Sequence, residues 1–215
     1  MNTLIISGGN IKSDFALDFM KRLKPDYIIA VDRGLSFARS FGIHPDLIVG
    51  DFDSVPREII DSYRREGDVP IREYNPIKDS TDTQIALERA MEAGSDSIWI
   101  IGGTGTRLDH VLGNIYSLQQ VFGAGKRAYL VDEHNLITLI NRRTVLRRKE
   151  QYGTYVSFLP VGEYARGVCL EGFKYPLTDA LLTNDNSLGV SNEIAEETAI
   201  VSVEEGILIM IQSRD

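Results

Sequence analysis

The sequence predicts an α/β fold: an N-terminal three-layer α/β domain with a largely parallel sheet, residues 1–141, followed by a small β-sandwich, residues 142–215. Three observations predict it. Short apolar runs alternate with helical patterns through the first part, the arrangement that gives parallel sheets covered by helices. The loops that leave those runs carry the glycines and acids. Beyond Arg142 the helical signal fades, and short β-like runs punctuated by glycine and proline take over.

In chain order, the strand candidates of the first part are residues 4–7, 27–31, 47–49, 69–74, 97–101 and 128–131. Amphipathic stretches lie between them. In the clearest, Leu108, Val111, Leu112, Ile115, Leu118 and Phe122 share one helical face. Trp99 sits in an apolar run and is expected in the core. Open α/β sheets bind ligands beyond the carboxyl ends of their strands, so the loops that follow strands are where chemistry is expected. In the second part, residues 155–159 read as a strand. Residues 200–203 and 207–211 read as a hairpin around Glu204-Glu205-Gly206. The basic stretch from Arg142 to Lys149 reads as a solvated linker or edge strand. A β unit of this size has a thin core and open edges. It is expected to pack on the first domain or on a second copy of the chain.

Composition narrows the function classes. The 215 residues, 43% hydrophobic and 25% charged, suit a globular protein of one or two domains. A formal net charge of −8 argues against a general nucleic-acid binder. The single cysteine, Cys169, forms no internal disulfide and is expected as a packed thiol, which fits a reducing, cytoplasmic setting. The N-terminal apolar run is short and lacks a basic start, so no secretory signal is expected, and no run approaches the ~18 residues of a membrane span. His44, His110 and His134 are scattered, so a zinc site is not expected.

Four loops hold candidate chemistry. Gly50-Asp51-Phe52-Asp53-Ser54 follows a strand, and carboxylates at Asp51 and Asp53 on extended chain would project to one side. Hard carboxylate oxygens suit Mg²⁺. The plain alternative is a turn in which Asp53 or Ser54 caps a helix that includes Pro56. Lys78-Asp79-Ser80-Thr81-Asp82 opens a helix, with Asp79 and Asp82 spaced to share a face. Helix capping alone explains both acids, but the adjacent Lys78 favours a phosphate and metal site. Gly102-Gly103-Thr104-Gly105-Thr106-Arg107-Leu108-Asp109-His110 links a strand to the long helix. It is neither a Walker loop nor a dinucleotide fingerprint. It has more glycine, threonine and arginine than a turn needs, Arg107 could clamp phosphate oxygens, and Asp109 could hold a metal or orient the arginine. Asp32-Arg33-Gly34, and Ser7-Gly8-Gly9 after the first strand, are weaker signals of the same kind. Their convergence on one rim carries more weight than any one of them.

These motifs, in this order and spacing, resemble those of thiamine pyrophosphokinases. Gly172-Phe173-Lys174-Tyr175-Pro176-Leu177 and Leu188-Gly189-Val190-Ser191-Asn192-Glu193 are similar to that family's thiamine-binding segments. Lys78, where eukaryotic members tend to carry glutamine, and Tyr175, near which they tend to carry tryptophan, make the chain look like the bacterial branch. The resemblance implies pyrophosphoryl transfer from ATP to the hydroxyl of thiamine, giving thiamine diphosphate and AMP, with Mg²⁺ as cofactor. It implies that Asp51, Asp53, Asp79 and Asp82 bind the metal and triphosphate, and that Arg107 and Asp109 face the transferred group. Asp32, Arg33, Gly34, Lys78, Gly102, Gly103, Thr104 and Gly105 would line the nucleotide site, and Ser191 and Asn192 would hold thiamine. It further implies a homodimer with the active site between subunits, and no nucleic-acid or membrane partner. The same rim could serve another Mg²⁺-dependent pyrophosphotransferase or pyrophosphohydrolase, or a nucleotide- or thiamine-binding module without turnover.

Overall fold

The computed structural model describes residues 1–75 and 80–215, so Lys78 and Asp79 lie outside the described residues. The chain forms two compact units, Met1–Glu133 and His134–Asp215.

In the first unit, strands β1 (Asn2–Ile6), β2 (Tyr27–Val31), β3 (Leu47–Gly50), β4 (Ile71–Glu73), β5 (Ser97–Ile101) and β6 (Arg127–Val131) lie in the order β6-β5-β1-β2-β3-β4. Every neighbouring pair among them is parallel. Leu4, Ile5 and Ile6 of β1 and Ile98, Ile100 and Ile101 of β5 are buried, as strands covered on both faces must be. Helices α1 (Ser13–Leu23), α2 (Gly34–Ser40), α3 (Arg57–Glu66), α4 (Asp82–Glu92) and α5 (Leu108–Gly123) make the crossovers. Right-handed crossovers put α1, α2 and α3 on one face and α4 and α5 on the other. The packing agrees: α2 touches α3, and α4 touches α5. Trp99 is partly buried, with ring centroids 4.0 Å from Tyr129 and 5.6 Å from Phe19 of α1.

The order reverses between β1 and β5, because the chain runs outward from β1 to β4 and then returns to β5 on the other side. Such a reversal opens a crevice beyond the carboxyl ends of the two strands. Helix α4 makes that return and packs across β1, β2 and β3. Its first turn therefore stands over the strand ends.

Two expectations are corrected here. Leu108 and Leu112 are not on the buried face of α5. They are 72% and 52% exposed, while Asn114, Leu118 and Val121 face inward. Neither Asp53 nor Ser54 caps α3, which starts at Arg57 with Pro56 in the capping position and no side-chain cap.

The second unit is a sandwich of two antiparallel sheets. Its strands are β7 (Asn135–Ile140), β8 (Thr144–Arg147), β9 (Tyr155–Pro160), β10 (Tyr164–Glu171), β11 (Leu177–Thr183), β12 (Asn192–Glu193), β13 (Thr198–Ser202) and β14 (Leu208–Ser213). One sheet runs β12-β9-β14-β7 and the other β11-β10-β13-β8. Phe158, Val168, Leu170, Leu182, Val201, Leu208 and Met210 pack between them, and Phe158 meets Phe173 edge-on at 5.6 Å. The expected hairpin at residues 200–211 is absent. β13 pairs with β10 and β8, whereas β14 pairs with β7 and β9, so the glycine turn carries the chain from one sheet to the other. The basic stretch supplies β8, the edge strand of its sheet, which pairs with β13. Cys169 is partly buried, and its Sγ accepts the Asp179 N–H at 3.3 Å.

Candidate active site

Asp32 stands directly beyond β2, anchored by its N–H to the Val49 carbonyl at 3.1 Å, and its own carbonyl accepts the Leu35 N–H at the start of α2. The residue adopts the left-handed region, φ 45°. Its carboxylate lies against Gly50 at the end of β3: a Cβ on Gly50 would sit 2.0 Å from Asp32 Oδ1. Only glycine lets the two strand ends approach this closely.

The next turn is also unusual. Phe52, buried at 8% exposure, has φ 61°, a conformation disfavoured for a bulky L-residue. This turn brings the Phe52 N–H to 3.5 Å from Asp32 Oδ1 and lets Asp51 Oδ1 accept the Asp53 N–H at 3.0 Å. The backbone is therefore not extended through Asp51-Phe52-Asp53. Asp51 is partly buried and interacts with Asp32, while Asp53 is exposed. The expectation of two carboxylates projecting side by side from extended chain is corrected.

Asp82 comes to the same place from another direction. It is the first residue of α4, behind Thr81, whose hydroxyl accepts the Gln84 N–H at 3.2 Å. The positive end of a helix favours an acid there. The Asp82 carboxyl stands beside that of Asp32, near enough to act on it by charge and to share a proton with it. Burial first, then the charge of Asp82 and its hydrogen bond, then the charge of Asp51, push the Asp32 carboxyl up to about 7 from an ordinary 3.8. Asp82 at the start of α4 and Asp51 after β3 thus both bear on Asp32 after β2.

The glycine-rich loop after β5 forms a second wall. It is zipped to the loop after β1: Ser7 N–H donates to Ile101 O at 2.9 Å, Gly9 N–H to Gly102 O at 2.8 Å and Asn10 N–H to Thr104 O at 3.2 Å. Gly102 has φ 68°, and a Cβ on it would lie 2.4 Å from the Ser7 carbonyl. Gly103 faces inward, with Leu130 against it, and its carbonyl accepts from buried Asn114 Nδ2 at 2.7 Å. Gly34 is a packing glycine, since a Cβ there would lie 2.0 Å from the Ile6 carbonyl. Thr104 is partly buried, and Gly105 and Arg33 are exposed.

Arg107 and Asp109 pair with each other. Arg107 Nη2 donates to Asp109 Oδ2 at 2.6 Å and Nε to Oδ1 at 3.2 Å, and both side chains are largely exposed. The contact holds the Asp109 carboxyl below its usual range. This contact is the geometry that orienting the arginine requires.

In the second unit the two stretches singled out in the sequence meet. Lys174 N–H donates to Glu193 O at 2.9 Å, and Phe173 bridges Ile194. Asn192, 4% exposed, receives the Tyr175 N–H at 3.0 Å and donates Nδ2 to the Tyr175 carbonyl at 2.7 Å. Its amide therefore clamps Tyr175, whose side chain is 58% exposed. Ser191 is exposed, has φ 58° and is held by its N–H to Ser157 Oγ at 3.0 Å.

Among the described residues no group of three or more His, Cys, Asp and Glu side chains forms a ready-made metal cage. Mg²⁺ does not need one. It is usually held by one or two carboxylates, with water and substrate phosphates completing its shell. One or two carboxylates from Asp51 and Asp82, whose charge already bears on the Asp32 carboxyl, meet that requirement.

Comparison with known proteins follows the same division of the chain. Residues 22–130 match the family model described as thiamin pyrophosphokinase, catalytic domain, and residues 143–208 match thiamin pyrophosphokinase, vitamin B1 binding domain. A thiamine pyrophosphokinase of Bacillus subtilis is 37% identical over 188 residues, 87% of each chain. A crystal structure of the thiamine pyrophosphokinase from Bacillus subtilis superposes with TM-score 0.89 at 31% identity, covering all of both chains. One from Geobacillus thermodenitrificans gives 0.86 at 32%, covering 100% of this chain and 98% of the other.

Proposed function

The chain belongs to the thiamin pyrophosphokinase family, and on that premise we propose that the acids crowded beyond β2, β3 and the start of α4 are its Mg²⁺–triphosphate site. The reaction is transfer of the pyrophosphoryl group of ATP to the hydroxyl of thiamine, giving thiamine diphosphate and AMP. The observation that carries the site is the Asp32 carboxylate seated against Gly50 and the Phe52 N–H, with the charges of Asp82 and Asp51 bearing on it.

Carboxyls that bear on one another in this way repel unless a cation or proton sits among them. Asp51 and Asp82 are the ligands we assign first, with Asp32 behind them holding their geometry. Bound Mg²⁺ would offset charge on the phosphoryl oxygens as the bond to AMP breaks. Asp53 reaches the site only through the turn it shares with Asp51, and Asp79 belongs to the same motif by resemblance. The loop of Gly102, Gly103, Thr104 and Gly105 lets phosphate oxygens approach the backbone, with Asp32-Arg33-Gly34 across from it along the strand ends. Arg107, pre-aligned by Asp109, presents donors suited to phosphate oxygens, and Lys78 adds a positive charge. In-line attack by the thiamine hydroxyl on the β-phosphorus needs both substrates held in register, so positioning matters as much as charge.

For thiamine we assign the surface made by Ser191 and Tyr175. Asn192 supports it through its clamp on the Tyr175 backbone. The stripe of Leu108, Leu112 and Tyr116, one turn apart on α5 and each more than half exposed, favours burial against a second copy. We therefore assign a homodimer with the active site between subunits. The lone Cys169 fits a reducing compartment, the cytoplasm.

One chromatogram tests the reaction. Incubated with labelled ATP, Mg²⁺ and thiamine, the protein should release AMP and thiamine diphosphate in equal amounts. ADP as the product, or AMP formed at the same rate without thiamine, would contradict it.

A further inference from the structure

We propose that the buried hydroxyls of Ser7 and Thr83 form a positioning pair that fixes where the Asp82 carboxylate stands. The proposal rests on the pyrophosphokinase reading, in which Asp82 faces the metal and triphosphate.

Thr83 follows Asp82 in the first turn of α4, and Ser7 is the first residue beyond β1. Both are 6% exposed, and their Oγ atoms are 2.7 Å apart. The rest of the buried face of α4 is apolar: Ile85, Ala86, Leu87 and Ala90. Apolar contact is non-directional, so it leaves a helix some freedom to roll or slide on a sheet. The Thr81 cap orders the first turn internally but does not tie it to the sheet. The Ser7–Thr83 bond is directional and does tie it. Successive helical residues are ~100° apart around the axis, so a roll at Thr83 carries Asp82 sideways, away from Asp32.

Ser7 also faces the other wall of the site. Its N–H is bonded to Ile101 O, and its carbonyl abuts Gly102. One residue therefore touches both the helix that delivers an acid and the loop assigned to phosphate. That dual contact distinguishes the pair from the Thr3–Ser95 hydroxyl pair, also buried, at the opposite end of β1. Neither Ser7 nor Thr83 is a catalytic residue here; both act through Asp82 and the Gly102 loop.

The test uses full-length Thr83→Val, Ser7→Ala and Thr83→Ser, with Asp82→Asn as control. Thermal melts, kcat, KM for each substrate and the rise in Tm on adding Mg²⁺ are measured. Misplacing a reactive group by ~1 Å costs up to about 100-fold. We therefore expect Thr83→Val and Ser7→Ala to lower kcat by about 10-fold or more. Both should need more Mg²⁺ for the same rise in Tm, with KM for thiamine changed by less than about twofold. Thr83→Ser, which keeps the hydroxyl, should recover most of the loss. The proposal is overturned if folded Thr83→Val keeps wild-type kcat and Mg²⁺ response, or if Thr83→Ser is as impaired as Thr83→Val. Where a single variant fails to fold, the Ser7→Ala/Thr83→Val double variant leaves no unpaired hydroxyl and carries the test. If that also fails to fold, the pair is structural and the proposal is overturned. Full activity in Asp82→Asn would instead remove the underlying assignment of Asp82, and the pair's role with it.

Discussion

Asp32 is where the chemistry of single residues is most exposed to test. Its carboxyl is raised from 3.8 to about 7, chiefly by burial and by Asp82. Between those values the folded chain keeps a proton that the unfolded chain has released, so stability from this group is full below about pH 4 and is lost as pH rises through about 7. Without divalent cation, the Tm of the wild type should therefore decline more steeply from pH 5 to pH 8 than that of Asp32→Asn. Parallel pH profiles would contradict the crowding of acids around Asp32. At the same scale, Asp51→Asn and Asp82→Asn should each lower turnover by about 100-fold or more at unchanged folding. Circular dichroism and initial rates check this, and wild-type rates at low Mg²⁺ would remove the metal assignment. Asp51 and Asp82 were legible in the sequence because each sits in an acidic motif. The weight of Asp32 was not, since its signal depends on Gly50, a residue distant in sequence whose missing side chain makes room for the carboxylate.

At the scale of elements, the turn after β3 sets two effects against each other. Phe52 in the left-handed region costs roughly 1–2 kcal/mol, while its buried ring, by analogy with Phe→Ala in cores, contributes about 3–5 kcal/mol. Burial wins, so Phe52→Gly should destabilise the protein by about 2 kcal/mol despite relieving the backbone, as denaturant melts would read. A stabilised Phe52→Gly would show that the ring is not an anchor. The parallel strands were readable because two-sided burial writes continuous apolar runs, as in β2 and β5, whose ends match the expected residues. β7 was missed: it follows β6 after only Asp132, Glu133 and His134, so the two apolar runs blur into one segment. The false hairpin at residues 200–211 has a related cause. A glycine between two strands signals a turn but not whether the chain stays in its sheet, and in a sandwich β13 and β14 gain more by burying their inner residues on opposite sheets. On α5, the period of apolar residues predicts a single buried face. The helix in fact has a face turned inward, at Leu118 and Val121, and a second apolar stripe turned outward.

For the whole molecule, that outward stripe makes the proposed assembly testable. Leu112→Glu places a charge on a surface that we assign to a second copy, and sedimentation should shift from dimer to monomer with loss of activity. A dimer that persists unchanged would move the interface elsewhere. The two-part organisation was legible from the change in periodicity near Arg142, although the compact units meet between Glu133 and His134 because β7 pairs along its length with β14. The convergence of separate loops on one rim was inferable from the rule that parallel strands present their following loops together. Which acids touch was not, because that depends on the turn at Phe52 and the placement of α4. The central claim is that these acids hold the cation that meets the triphosphate. A crystal structure with Mg²⁺ and a non-hydrolysable ATP analogue tests it most directly. Carboxylate oxygens of Asp51 and Asp82 should lie about 2.1 Å from the ion, which also contacts phosphate oxygens. An ion bound elsewhere, with no contact to Asp51 or Asp82, would contradict it.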